Sequence, residues 1–497
     1  MTTGTNAAAA SAGASEAPDP KRWLALAVIA IAQLMIVLDA TVVNIALPHA
    51  QAALHISSAD RQWVVTAYTL AFGGLLLLGG RIADFAGRKR VFIIGLLGFA
   101  GGSALGGIAT TSAMLFAARA IQGGFAALMA PAALSLLSVA FTEAKERAKA
   151  FGVYGAISGG GAALGLIIGG VLTEYASWRW CLGINVPIAI GAAIAAVPLV
   201  RESRAEGDRS YDVPGAVTVT LGLVLLVYGF TKASTDGWGS SSTIALLVVS
   251  VALLFAFVLI ELRTSHPLLP MRVVLDRNRG GSYLALTLVS AGLLGMFLFL
   301  TYYLQGILGY SPLKAGFAFL PFSIGVIVSA VAAGSFLPRM GPRLLVTGGF
   351  VAAGVALLWL TQIGVDTSFV VHVLPTEIVM SLGLGAIFVP LASTALVGVG
   401  SGHDAGVASA MVNATQQVGA SLGTALLNTI AITATTTYLV AHASEGKAAV
   451  PTGTVHGFSV AFGWASVFMF LGAIISFAMI RASKEQLAAV DPAMAAA

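Results

Sequence analysis

Gly79-Gly80-Arg81-Ile82-Ala83-Asp84-Phe85-Ala86-Gly87-Arg88-Lys89-Arg90 sets four basic residues, one carboxylate and three glycines between two strongly apolar runs. Only 9% of the residues in this 497-residue chain are charged, so this density of charge reads as a tight turn at a membrane surface. Gly80 and Gly87 allow a sharp reversal, because glycine accepts left-handed backbone and lets helices approach closely. Short loops rich in arginine and lysine stay on the cytoplasmic face, which orients the apolar runs on either side.

Composition agrees with that reading. A hydrophobic content of 58%, a mean hydropathy of +0.92 and 58 glycines exclude a soluble domain of this length and predict a polytopic membrane protein. The net charge of +5 comes from cations scattered in short loops rather than gathered on one face, so no nucleic acid is expected as a partner. The single cysteine, Cys181, excludes an intrachain disulfide and a cysteine-rich metal site. No cofactor is expected. Met1 to Pro20 is rich in Ala, Ser, Gly and Thr and predicts a disordered tail. The run from Trp23 to Pro48 behind Lys21 and Arg22 is longer than the core of a signal peptide.

A span needs roughly 20 apolar residues to cross the hydrocarbon. Segments of that kind fall at 23–48, 62–80, 91–110, 113–140, 150–172, 181–200, 213–232, 243–262, 280–303, 315–336, 344–363, 370–398, 407–432 and 458–481, an all-α chain of fourteen spans. An even number returns both termini to one side. Making that side cytoplasmic puts about 20 of the 26 Lys and Arg residues inside, with Arg61, Arg179, Lys232, Lys314 and Lys447 outside and Arg119 within a span. The charged connections 201–212 and 263–279 bracket the seventh and eighth spans, which read as an insert. The expected plan is a tail (1–22), a six-helix bundle (23–200), the two inserted helices with their linkers (201–279), a second six-helix bundle (280–481) and a tail (482–497). Gly334 to Arg343 faintly echoes the opening stretch, again between a second and a third span of its set, as in transporters built from repeated halves.

Few polar side chains lie at bilayer depth, and each is a functional candidate because charge there costs on the order of 2.5–3.5 kcal/mol. Asp39 in the first span is expected to face a protein cavity, where low dielectric disfavours its charged form and suits it to bind and release a proton; a structural hydrogen bond to a neighbouring span is the alternative. Arg119 in the fourth span keeps its charge and has Gln122 on the same face at i, i+3; it either tunes a carboxylate or forms a structural ion pair. Glu377 near the outer end of the twelfth span is either a second cation- or proton-binding group or an interfacial acid open to water. Gly161, Gly165, Gly169 and Gly170 make a flat face for close helix packing. Asn413, Gln416, Gln417 and Gln305 either line a cavity or bond between helices. Trp63, Tyr68, Phe297, Phe299, Phe317 and Phe322 are candidates to receive a flat cation, with none singled out.

Several of these stretches resemble the signatures of a known family. Gly80, Ile82, Ala83, Asp84, Gly87, Arg88 and Lys89 resemble the loop Gly-x-Leu-Ala-Asp-Arg-x-Gly-Arg-Lys of the major facilitator superfamily, with Phe85 where a basic residue is usual. Arg119, Gln122, Gly123, Ala126 and Ala127 resemble its fourth-span signature. Leu38 to Pro48 is similar to the Leu-Asp-x-Thr-Ile-Val-Asn-Val-Ala-Leu-Pro stretch of fourteen-span drug:proton antiporters. Gly161, Gly165, Gly169 and Gly170 match their Gly-x-x-x-Gly-Pro-x-x-Gly-Gly motif, with Leu166 in place of the proline. The resemblance implies a multidrug exporter of the bacterial cytoplasmic membrane, exchanging hydrophobic, often cationic compounds for protons. It implies a gating role for Gly80, Asp84, Gly87, Arg88 and Lys89; an Asp84 that reaches the N-terminal end of the eleventh span, near Leu344, is expected to gain from that helix's dipole and to favour the state closed on the cytoplasmic side. The expected partners are a small-molecule substrate, protons and the lipid bilayer, with a monomer as the working unit. A dedicated exporter of one metabolite or lipid, and an integral-membrane enzyme, are the alternatives. No Gly-Lys-Thr or Gly-Lys-Ser element indicates an ATP-driven pump, and no His-Glu-x-x-His indicates an enzyme.

Overall fold

The computed structural model describes residues 20–141, 143–204, 212–399, 403–483 and 486–487. The two expected tails fall largely outside the described residues, as does 205–211 of the first charged connection. Regular structure among the described residues is entirely helical, the form in which a spanning segment satisfies every backbone group internally. Among the described residues, fourteen helices are long and apolar enough to cross a membrane. They are α1 (Arg22–Ala53), α2 (Trp63–Ala86), α3 (Arg88–Gly107), α4 (Ser112–Ala140), α5 (Ala144–Tyr175), α6 (Trp180–Leu199) and α7 (Val213–Asp236). The rest are α8 (Ser241–Arg263), α9 (Arg277–Ile307), α10 (Pro312–Met340), α11 (Pro342–Leu360), α12 (Phe369–Thr394), α13 (His403–Ala441) and α14 (Ala443–Met479).

All fourteen coincide with an expected span, but several run past it. The helix α1 continues through Pro48 to Ala53, and α14 with its leading turn begins at Ala443 rather than near 458. Hydropathy reports only the part of a helix that lies in hydrocarbon, whereas backbone hydrogen bonding continues into polar residues beyond it.

Helix packing repeats with an offset of eight. In the first set α2 packs on α4, α3 on α4 and α6, and α1 on α5 and α6; in the last set α10 packs on α12, α11 on α12 and α14, and α9 on α13 and α14. The two sets meet along α2 with α13 and along α5 with α10, which are again the same contact under that offset. The pair α7 and α8 packs together, and α7 lies on both α2 and α13, over a small separate apolar cluster of Leu70, Leu223, Val227 and Ala425. Most of α8 is surface, with Val248, Val251, Phe255 and Leu262 exposed, as suits a helix facing lipid.

The turn between α2 and α3 corrects the expectation of a twelve-residue loop. Residues 79–86 are the end of α2 and Arg88 begins α3, so the reversal is Gly87 alone, at φ +111°. Gly80 takes no part in it; it is helical and faces Pro131 of α4. Two charged groups stabilise this abrupt junction. Glu202, beyond α6, accepts the Lys89 and Arg90 backbone N–H groups at 3.0 and 3.2 Å, an anion at a helix N-terminus. Lys89 Nζ donates to the Val197 carbonyl at the end of α6, at 2.6 Å. The second set repeats the arrangement: Gly341, at φ +77°, separates α10 from α11, and Arg343 Nε donates to the Phe477 carbonyl near the end of α14 at 2.8 Å. The echo read in Gly334 to Arg343 is therefore structural.

Candidate functional site

Asp39, Arg119 and Gln122, chosen from three short motifs, converge inside the first six helices. Asp39 is 0% and Arg119 1% exposed, and Arg119 Nη1 donates to Asp39 Oδ2 at 2.5 Å. Asp39 Oδ1 accepts from Gln122 Nε2 at 3.0 Å and from Asn185 Nδ2 of α6 at 2.8 Å. Arg119 also donates to Gln122 Oε1 at 3.0 Å and through Nε to the Val64 carbonyl of α2 at 2.8 Å, and its guanidinium lies 4.4 Å from the Tyr68 ring centre. Ser103 Oγ of α3 accepts from Gln122 at 2.6 Å. Glycine makes this closeness possible: a Cβ at Gly123 would stand 2.2 Å from the Tyr68 carbonyl oxygen, and one at Gly102 would stand 2.8 Å from Gln122.

The cavity-facing position expected of Asp39 is not where the structure puts it. Its carboxylate is enclosed, and the Arg119 cation with two amide donors makes that burial tolerable. Truncating either member of a buried pair strands the other charge, at about 3–5 kcal/mol. Sequence reading missed Asn185 and Ser103. Asn185 carried a signal, as an amide within the apolar stretch 181–200, whereas a serine among the glycines of α3 carried none.

Glu377 lies just after the π-helical turn Phe369–Val373 that opens α12 and is 1% exposed, so it is not an interfacial acid. Neither of its oxygens has a hydrogen-bond partner among the described residues. Asp84 pairs with Arg88 at 2.8 Å, one turn on, and makes no hydrogen bond to α11. Asn413, Gln416 and Gln417 are half-buried on α13.

Residues 29–424 match the model of the Major Facilitator Superfamily. The chain belongs to this superfamily. It is 50% identical over 475 residues to the puromycin resistance protein pur8 of Streptomyces alboniger, covering 95% of this chain and 94% of that one. The cephamycin export protein CmcT of Amycolatopsis lactamdurans is 38% identical over 82% of this chain and 84% of its own. Among solved structures, an auto-inhibited POT family peptide transporter superposes with a TM-score of 0.67 at 17% identity, covering 91% of this chain and 96% of that one. The inward-facing, unoccupied form of a bacterial homologue of the human lysosomal transporter Spinster gives a TM-score of 0.65 at 16% identity, over 94% of this chain and 98% of that one.

Within this superfamily fold the antiporter-like glycines act by packing. A Cβ at Gly161 would meet Leu34 of α1 at 3.0 Å, one at Gly165 would sit 1.9 Å from Thr41 Oγ1, and one at Gly169 would lie 3.0 Å from the Val42 backbone. Gly170 faces the other set, 2.7 Å from Leu313 of α10 by the same measure. The helix α5 runs unbroken through Leu166, whose carbonyl faces Gly316 of α10.

Hydrogen bonds between the two six-helix sets gather toward one end, opposite to where α1 begins; we call it the distal end. There Asn44 donates to Thr301 at 3.0 Å, Gln305 to the Ile45 carbonyl at 3.0 Å, Tyr302 Oη to Gln51, and the Leu313 backbone to Glu174 at 2.9 Å. Arg61, 6% exposed in the connection between α1 and α2, donates to Asn428 Oδ1 of α13 at 3.1 Å and lies 4.2 Å from the Tyr302 ring centre and 5.9 Å from that of Phe458. Asn428 returns hydrogen bonds to the Ser58 and Ala59 carbonyls at 3.1 and 3.4 Å. Burial holds the Arg61 guanidinium below the usual arginine value. At the proximal end the ion pairs Arg22–Glu146, Arg88–Asp84 and Arg272–Asp404 each stay on one side of the interface between the sets.

Proposed function

We propose that this protein is a secondary exporter of hydrophobic, often cationic antibiotics or drugs in exchange for protons. The observation that carries this reading is the buried Asp39–Arg119 pair with Gln122 and Asn185, set beside the names of the puromycin, cephamycin and lincomycin resistance or export relatives. Proton exchange requires a carboxylate with two stable hydrogen-bonding states. When Asp39 gains a proton, its ion pair is cancelled, while Arg119 keeps Gln122, the Val64 carbonyl and the Tyr68 ring. The helix α1 is then held less tightly to α4. It also carries Asn44, Ile45 and Gln51 into the distal seam, so one rigid element joins the proton site to the gate. A proton on Asp39 leaves no carboxylate to attract a cationic substrate, and that mutual exclusion is the physical content of exchange.

In this reading the bundles 23–200 and 280–481 rock about the carboxylate site, and 201–279 is an insert. The proximal ends, with the larger share of cations, face the cytoplasm of a bacterial cell. The structure is then inward-facing, with its outer gate sealed. Asp84 releases Arg88 and reaches the start of α11 only when the proximal side closes. One chain supplies both bundles and the charge cluster, so the working unit is a monomer, with no enzymatic step. A dedicated exporter is the second reading, favoured by relatives named for one product, such as the cephamycin exporter. Efflux of puromycin and ethidium from energised cells, with and without a protonophore, tests the proposal. Protonophore-sensitive efflux that Asp39→Asn abolishes is expected; active efflux unchanged in Asp39→Asn refutes it. Efflux of a single compound selects the dedicated exporter.

A further inference from the structure

Glu377 differs from every other charge placed in the transport machinery. Asp39 has three donors and Asp84 has Arg88, whereas Glu377 is 1% exposed and neither Oε1 nor Oε2 has a partner among the described residues. The ionisable groups on the elements around it leave it alone. Arg279, Arg339 and Arg343 stand at the opposite, proximal ends of α9, α10 and α11, and Lys314, two turns before Pro321 at the distal start of α10, lies over the Tyr310 ring, 3.8 Å from its centre. Tyr303 donates to the Gly364 carbonyl, and His372 sits in the π-helical turn Phe369–Val373 that opens α12. A buried carboxylate with neither cation nor donor costs several kcal/mol, and a proton is the smallest ligand that removes the cost.

Its level in the fold is informative. A Cβ at Gly325 would stand 2.0 Å from Ser381 Oγ and one at Gly385 2.5 Å from Ser329, so α10 and α12 run side by side in one direction. Glu377, one turn before Ser381, is therefore level with Pro321, between Phe319 and Phe322, which close with Phe297 into a ring cluster of 5.2 and 5.0 Å centre separations. The Phe297 carbonyl accepts from Asn44 of α1 at 3.5 Å. Glu377 thus lies in the second set of helices at the depth where α1 of the first set crosses, five residues from Asp39.

We propose that Glu377 is a second proton site. It takes one proton from the distal side and releases it to the proximal side in each cycle. Resting on the antiport reading above, this makes the exchange two protons inward for one monovalent cation outward. One net positive charge moves inward per cycle, so each 100 mV of membrane potential multiplies the attainable substrate gradient about 50-fold. With Asp39 alone, two unit charges cross in opposite directions and the potential contributes nothing.

Two measurements on the purified full chain test this. Infrared spectra across pH are expected to show a carboxylic-acid carbonyl band that Glu377→Gln removes and Glu377→Asp shifts. Proteoliposomes loaded for ethidium exchange are expected to carry a substrate-dependent current in the wild type and in Glu377→Asp, and electroneutral exchange in Glu377→Gln. An acid band unchanged by Glu377→Gln, or a current that survives in it, overturns the proposal. Ethidium movement indifferent to any proton gradient would overturn the antiport reading instead, while the infrared band still decides whether Glu377 holds a proton.

Discussion

Replacing Asn428 by leucine is expected to open the distal seam. Asn428 Oδ1 is the acceptor for the buried Arg61 guanidinium at 3.1 Å, and among the described residues no carboxylate lies within ion-pair distance of that cation. A hydrogen bond to a charged group contributes about 1.5–3 kcal/mol. Its loss strands the cation in the sealed state, whereas water solvates it once the seam parts. The stacks on Tyr302 and Phe458 remain in either comparison and cancel. Adding part of the two bonds to the Ser58 and Ala59 carbonyls gives a shift of roughly 2–3 kcal/mol, or about 30- to 150-fold in the ratio of sealed to open molecules. Spin labels at the exposed positions Ala52 and Gln362, in a Cys181→Ala background, report the distance across the seam. The longer distance should gain population in Asn428→Leu and fall back in Arg61→Met/Asn428→Leu, which removes the stranded charge. A distribution unchanged by Asn428→Leu, or a shift that persists in the double variant, would refute the reasoning.

Four further outcomes follow from local geometry. Gly165→Ala should cost about 1–3 kcal/mol through its clash with Thr41 Oγ1, be rescued in part by Thr41→Ala, and contrast with a near-neutral Gly152→Ala, which meets no heavy atom within 4 Å; thermal unfolding checks all three. Glu202→Gln should lose about 0.3–1 kcal/mol of the anion's stabilisation of the α3 N-terminus, read as a lower melting temperature that added salt makes less different from wild type. Arg22 holds the Glu146 carboxyl below the ordinary glutamate value, so the pair's contribution is complete above that ordinary value and disappears as pH falls through the depressed one. The melting temperatures of wild type and Glu146→Gln should therefore differ at neutral pH and converge in acid. Asp84→Asn should slow transport with equilibrium substrate binding largely intact; equal loss of both in folded protein would count against a latch.

The sequence alone was enough for the number, kind and order of the helices, because a bilayer demands about 20 apolar residues per crossing and punishes unpaired backbone, and both demands are written along the chain. It also singled out Asp39, Arg119 and Gln122, since a polar side chain at bilayer depth is costly enough to stand out. Tertiary structure decided what those residues do to one another. No periodicity reveals that Asn185 from α6 and Ser103 from α3 complete the cluster, since that depends on which helices lie side by side. The opening stretch shows the same division. Its charge marked a turn, yet that the turn is Gly87 alone follows from Glu202, more than a hundred residues on, stabilising the first N–H groups of α3. Arg61 looked like a lone cation in a short outer connection, and only the approach of α9, α13 and α14 makes it a buried bolt between the two sets. Local pattern records the cost of placing a residue in lipid, whereas pairing is settled by helix neighbours that the chain brings together from hundreds of residues apart.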